Sequence, residues 1–280
     1  MDHTPRVAAV HDLSGFGRCS LNIALPVLSV LGCQCCCLPT ASLSAHTGFP
    51  ASPHSVFLDL TSGMEGTIAH WQELGASFDA IYSGFLGSAS QFSALHHLLS
   101  VFRKKDTLVL VDPVMGDHGA PDRTYTLEMC TLMSGLEDKA DLITPNLTEA
   151  AMLLHEPYDP APDEEKAKHI LSALSLGGRR SVVLTGISRR PGFLGCASYD
   201  RKNDGISYAE APGVPGIFSG TGDLFSSVLL GRLLQGASLE KAAKSAVSFI
   251  HLAALRTYEQ GLDPVCGPDF EPLLPKLMQE

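Results

Sequence analysis

Short apolar runs alternate along the chain with longer stretches whose apolar residues recur at helical spacing. The runs at 7–11, 34–39, 78–83, 108–112, 141–144 and 181–185 are nearly continuous rather than in/out alternating. That pattern predicts strands covered by helices on both faces. The stretches 19–31, 88–103, 125–134, 163–176, 220–234 and 239–258 predict packed helices, the first kinked by Pro26. The β-α-β-α order predicts a mostly parallel sheet with right-handed crossovers, an α/β fold. No internal repeat, low-complexity tract or linker divides the chain, so residues 1–280 read as one domain. Segments 47–55, 116–123 and 156–163 read as the most mobile.

Composition narrows the function classes. With 45% hydrophobic and 18% charged residues the chain reads as a soluble globular protein. The net charge of −10 argues against nucleic-acid binding, which draws on basic surface. No apolar stretch is long enough for a membrane span, and the first residues lack signal-peptide features, so the expectation is cytoplasmic. Of eight cysteines, Cys33, Cys35, Cys36 and Cys37 crowd together, but no second pair with zinc spacing follows. They read as small hydrophobes of a buried strand.

Ligands of open parallel sheets bind beyond the carboxyl ends of the strands, and polar and glycine residues concentrate there. No G-x-x-x-x-G-K-[ST] occurs, which excludes a P-loop. Gly15-Phe16-Gly17-Arg18-Cys19-Ser20 mimics a dinucleotide fingerprint, but Ser20 replaces the third glycine. No acid between Asp12 and Asp59 is available to hold a ribose. Gly220-Thr221-Gly222-Asp223 opens an apolar helix, where backbone amides bind anions. Asp223 there reads either as a base for an incoming hydroxyl or as a helix cap. Asp112 ends a buried strand and Asp117 follows it; both are hard oxygen ligands suited to Mg²⁺ or, alternatively, turn formers. Asn146 and Glu149 have capping-box spacing. Thr185-Gly186 ends another strand, facing either phosphate or solvent.

Taken together, D-P-V-M-G-D at 112–117, T-P-N-x-x-E-A at 144–150 and G-T-G-D at 220–223 resemble the ribokinase-like superfamily. Within it they resemble the branch of pyridoxal/pyridoxamine and hydroxymethylpyrimidine kinases. H-D-L-S-G-F-G-R-C-S at 11–20 and S-A-H-T-G-F at 44–49 resemble that branch's substrate-side segments. The resemblance implies a three-layer α/β/α fold, a homodimer, and ATP-dependent phosphorylation of the hydroxymethyl group of a vitamin B6 compound. It implies Asp223 as base and the amides of Gly220, Thr221 and Gly222 as anion hole. Asp112, Asp117 and Glu149 would organise Mg²⁺. Thr144, Asn146, Thr185 and Gly186 would lie near the nucleotide phosphates, with K⁺ as a monovalent companion. Asp12, Ser14, Thr47, Gly48 and Phe85 would line the acceptor pocket. Phe85 stands where related kinases often carry tyrosine. H-D-L-S leans toward the pyrimidine kinases, whereas Asp223 leans away, because those kinases usually have cysteine there. A hydroxymethylpyrimidine kinase and a non-catalytic B6 or nucleotide sensor are the alternatives.

Overall fold

The computed structural model describes residues 3–279. The chain begins with β1 (Arg6–Ser14), α1 (Leu21–Val30), β2 (Gln34–Leu43), β3 (Phe57–Asp59), α2 (Thr61–Glu73), β4 (Ala80–Ser83) and α3 (Ala89–Phe102). It continues with β5 (Leu108–Val111), the short β6 (Gly116–Asp117) and β7 (Ala120–Pro121), α4 (Leu127–Glu137), β8 (Leu142–Ile143) and α5 (Leu147–Leu154). Then come α6 (Glu164–Leu174), β9 (Ser181–Ile187), β10 (Phe193–Asp200), β11 (Gly205–Pro212), α7 (Thr221–Leu234) and α8 (Leu239–Glu259). Two 3₁₀ turns (Pro264–Cys266 and Glu271–Leu273) and α9 (Leu274–Leu277) end it.

Among the described residues nine strands form one sheet in the order β11-β10-β9-β8-β5-β4-β1-β2-β3. The six strands expected from the apolar runs pair in parallel, while β3, β10 and β11 add antiparallel edges. The parallel strands are apolar throughout because each feeds two cores. Val109 and Val111 pack on one side and Leu110 on the other; Val182 and Leu184 oppose Val183. Helices α2–α6 cover the first side and α1, α7 and α8 the second, giving three layers. Pro26 lies inside α1. The cysteine strand obeys the same alternation. Cys36 packs toward the first core and Cys35 toward the second, but of the four only Cys33 is fully buried. Cys35, Cys36 and Cys37 are half-buried, because β2 lies near the sheet edge beside the short β3. No helix of the described residues is long and apolar enough to cross a membrane.

β1 lies between β2 and β4, so the chain leaves β1 to one side and returns on the other. Such a topological switch opens a crevice at the strand's carboxyl end. His11, Asp12 and Ser14 stand there.

Candidate active site

The segment after β1 is tied into a fixed loop by its own acid. Asp12 is buried, and its two carboxylate oxygens accept the hydroxyls of Ser14 (2.8 Å) and Ser20 (2.5 Å). Burial pushes its pKa up, against those hydrogen bonds. Gly15 allows the loop to lie against the next one: a Cβ there would stand 3.1 Å from the Ser44 carbonyl oxygen.

That loop meets the start of α7. Gly220 takes φ 75°, and a Cβ on it would fall 2.1 Å from the Arg18 carbonyl oxygen, so only glycine fits. As N-cap it offers no side chain, which leaves the first amides of α7 without a cap. At Gly222 the nearest neighbour a Cβ would meet is Asp112 Oδ2 at 3.8 Å. The uncapped start of α7 therefore lies close to a buried acid with no side chain on Gly220 or Gly222, and such helix starts are suited to binding a phosphoryl group.

Asp223, in the first turn of α7, accepts the Ser20 N–H at Oδ2 (2.8 Å). Burial, chiefly, with the charges of Asp112 and Asp12, pushes its pKa up to about 8; the Ser20 bond opposes this. A carboxyl in that range is poised to take and release a proton.

The second acidic group comes from β5 and α5. Asp112 is buried just beyond β5, where Oδ2 accepts Ser226 (3.1 Å), whose hydroxyl also lies 3.0 Å from that of Thr144. Burial raises its pKa to about 6. Asn146 and Glu149 do form a capping box on α5. Asn146 Oδ1 accepts the Glu149 N–H, and Glu149 Oε2 accepts the Asn146 N–H (2.8 Å). Glu149 Oε1 also accepts the Met115 N–H (3.3 Å). The cap spends part of Glu149, yet burial, with Asp112 as its neighbour, still holds its carboxyl well above the usual range. Two buried carboxylates with only oxygen to offer fit Mg²⁺, which takes one or two protein ligands plus phosphates and water. Asp117 does not share that environment. It sits exposed on the β6–β7 hairpin, with Oδ1 accepting the N–H of His118 (2.8 Å) and Oδ2 near the His118 ring. The described residues hold no cluster of three or more His, Cys, Asp or Glu arranged for a metal.

The remaining candidates stand on β9 or in the segments that follow β2 and β4. Thr47 is half-buried and Gly48 exposed in the loop after β2; Arg123 ties that loop down through the carbonyls of Thr47 (2.6 Å) and Phe49 (3.1 Å). Phe85 is buried just past β4, its carbonyl accepting Thr40. Thr185 on β9 donates its N–H to Pro145 and bridges to Asn146; Gly186 follows at φ 77°. Sequence reading gave no individual role to Ser20, His46, Arg123 or Ser226, although Ser20 and His46 lie within the substrate-side segments 11–20 and 44–49. His46 is buried, 2.8 Å by Nε2 from the Val265 carbonyl, and its Nδ1 accepts the Gly48 N–H. The H-T pair at 46–47 was the available signal for His46 and the closing serine of the 11–20 segment that for Ser20; nothing local distinguishes Arg123 or Ser226.

A parallel sheet with its switch at β1, an uncapped helix start carrying an acid, and a buried acid pair define a small-molecule kinase of the ribokinase-like class. Comparison with known proteins agrees. The sequence model of the phosphomethylpyrimidine kinase family matches residues 72–267. A Bacteroides thetaiotaomicron protein assigned to the phosphomethylpyrimidine kinases and solved with pyridoxal is 40% identical, with a TM-score of 0.93 over 98% of this chain and 96% of its own. Pyridoxal kinase from Lactobacillus plantarum is 30% identical, with a TM-score of 0.89 over 99% and 98%. The pyridoxine/pyridoxal/pyridoxamine kinase of Bordetella avium is 31% identical over 87% of this chain and 82% of its own. The chain belongs to the phosphomethylpyrimidine kinase family, beside the pyridoxal kinases of the ribokinase-like superfamily.

Proposed function

We propose that this kinase transfers the γ-phosphoryl group of ATP to the 5′-hydroxymethyl group of pyridoxal, pyridoxamine or pyridoxine. The observation that carries the reading is Asp223, whose half-buried place beside uncapped α7 amides joins a proton acceptor to an anion cradle. Asp223 takes the hydroxyl proton as the oxygen attacks. The amides of Thr221 and Gly222, freed by glycine at 220, hold the transferring phosphoryl oxygens. Asp112 and Glu149 hold Mg²⁺, which when bound neutralises phosphate charge; Thr144 and Ser226 keep Asp112 in place. Thr47 and Gly48, pinned by Arg123, border the acceptor ring, and Asp12 with Ser14 and Ser20 fixes the facing loop.

Support for a B6 acceptor comes from relatives named for it and from the pyridoxal bound to the 40% identical Bacteroides protein. One observation favours a second acceptor, because the matching family is named for phosphomethylpyrimidine. The two rings differ at their polar edges, and buried polar groups left unpaired by the wrong ring can discriminate by roughly 10⁴-fold or more. Side-by-side kinetics at saturating Mg-ATP decide between them. We expect kcat/KM for a B6 vitamer to exceed that for hydroxymethylpyrimidine. The reverse order moves the acceptor to the pyrimidine and leaves the kinase chemistry intact. Thr47→Val is expected to erode the preference without changing the KM for ATP.

A further inference from the structure

Behind Asp223 stands a buried residue that the proposed chemistry does not yet use. His11, on β1, has no exposed surface, and neither ring nitrogen has a hydrogen-bond partner. Buried polar groups are nearly always paired, so an orphaned imidazole calls for a reason. The ring is held edge-on to Tyr82, with centroids 4.2 Å apart at 73°. Its room is made by Gly84, where a Cβ would fall 2.4 Å from His11 Nδ1. That nitrogen lies 3.9 Å from Asp223 Oδ1. The other carboxylate oxygen already has its donor in Ser20 N–H. One oxygen of the base is therefore fixed, and the second faces an unpaired nitrogen just beyond hydrogen-bond reach. Catalytic hydrogen bonds are often long in an empty site and tighten around substrate.

The surroundings decide what this nitrogen can do. The titratable groups around the pair are Asp12 and Cys19 from the β1–α1 segment, His46 after β2, Tyr82 on β4 and Asp112 after β5. Among the described residues no lysine or arginine pairs with Asp223. Two neighbouring acids push Asp223 toward its protonated form, so an additional donor is what would keep it ionised. His11 is held neutral by burial, which lowers its pKa to about 3, and a neutral imidazole has one N–H to give.

We propose that His11 is a positioning residue for Asp223, donating Nδ1–H to Oδ1 in the substrate-loaded enzyme to fix the carboxylate and keep it ionised. The proposal rests on Asp223 being the base, and the experiment separates the two. In pH profiles of kcat at saturating Mg-ATP and vitamer, which report the substrate-loaded enzyme, His11→Phe removes the donor and is expected to move the acidic limb upward by about one unit. That costs about tenfold at pH 7 and little above the limb. His11→Asn, whose amide can donate from a similar place, is expected to keep the limb near that of the parent. A His11→Phe limb that overlays the parent, or one that His11→Asn shifts equally, overturns the proposal. Should His11→Phe not fold, ¹⁵N NMR of the parent with pyridoxal and a non-hydrolysable ATP analogue bound decides, with His11 assigned by the signal missing from His11→Asn. Protonation at Nδ1 supports the donor role, and protonation at Nε2 overturns it. Asp223→Asn is the separate control: if it keeps near-parent turnover, the base itself is wrongly assigned.

Discussion

Two places in this molecule bury carboxylates, and they treat them differently. At the end of α4, Glu137 is buried against an equally buried Arg180, whose guanidinium donates to the Glu137 carboxylate (3.1 Å) and to the Glu137 backbone carbonyl (2.6 Å). Burial still raises the Glu137 pKa, with Arg180 opposing. At the sheet's carboxyl end, Asp112, Glu149 and Asp223 are given only hydroxyls and backbone amides. Among the described residues none of the three pairs with lysine or arginine. An acid buried for architecture carries its cation within the fold. The acids at the candidate site are left uncompensated, and that deficit is what a divalent cation or a transferred proton would relieve.

Asp223→Asn tests the contrast most severely. Loss of a general base lowers turnover by about 10²–10⁴-fold while nucleotide binding survives, and near-parent turnover at saturating ATP would remove the assigned role. The same variant should gain stability, with a definite sign. A carboxyl raised from 3.8 to about 8 holds its proton in the folded state across that window, so the parent loses stability as pH rises through it. Melting temperatures of parent and Asp223→Asn should lie closest below about pH 4, diverge progressively between pH 4 and 8 and keep a constant difference above that, the variant being higher.

The architectural pair should respond in the opposite way. Arg180→Met strands Glu137 and is expected to cost about 3–5 kcal/mol of stability with kcat unchanged for the folded fraction. Adding Glu137→Leu should recover much of that loss. Urea melts in which the single and double variants are equally destabilised would mean that the pair does not act as a unit.

A smaller effect separates the acids of the D-P-V-M-G-D segment. Glu149→Gln should raise the Mg²⁺ needed for half-maximal rate by roughly 10–100-fold. Asp117→Ala, exposed and already turned onto His118, should move it far less. Overlaid Mg²⁺ titrations for Glu149→Gln and the parent would reduce Glu149 to its capping duty.

The parallel half of the sheet was legible because strands covered on both faces must be apolar at every position. The runs at 108–112 and 181–185 carry that signature. The hairpin of β10 and β11 was not legible, since its residues are only partly buried and interrupted by Gly195. Helix α2 escaped for a similar reason: of its residues only Met64 and Ile68 are buried. Asp112, Glu149 and Asp223 were legible because acids at strand ends and helix starts are conspicuous. Asp117 looked equivalent to Asp112, and only burial distinguished them.

The sequence by itself determined the parallel strands, the capping box of α5, the glycine-opened start of α7 and which acids lie at strand ends. These are local matters, settled by periodicity, turn chemistry and the unsatisfied amides of a helix terminus. Tertiary structure alone decided that Ser20 holds Asp223, that Arg123 pins the loop carrying Thr47, and that His11 faces the same carboxylate as Ser20. Those pairings join residues far apart in the chain. They depend on β1 lying between β2 and β4, and such long-range placement leaves no periodic trace at either residue.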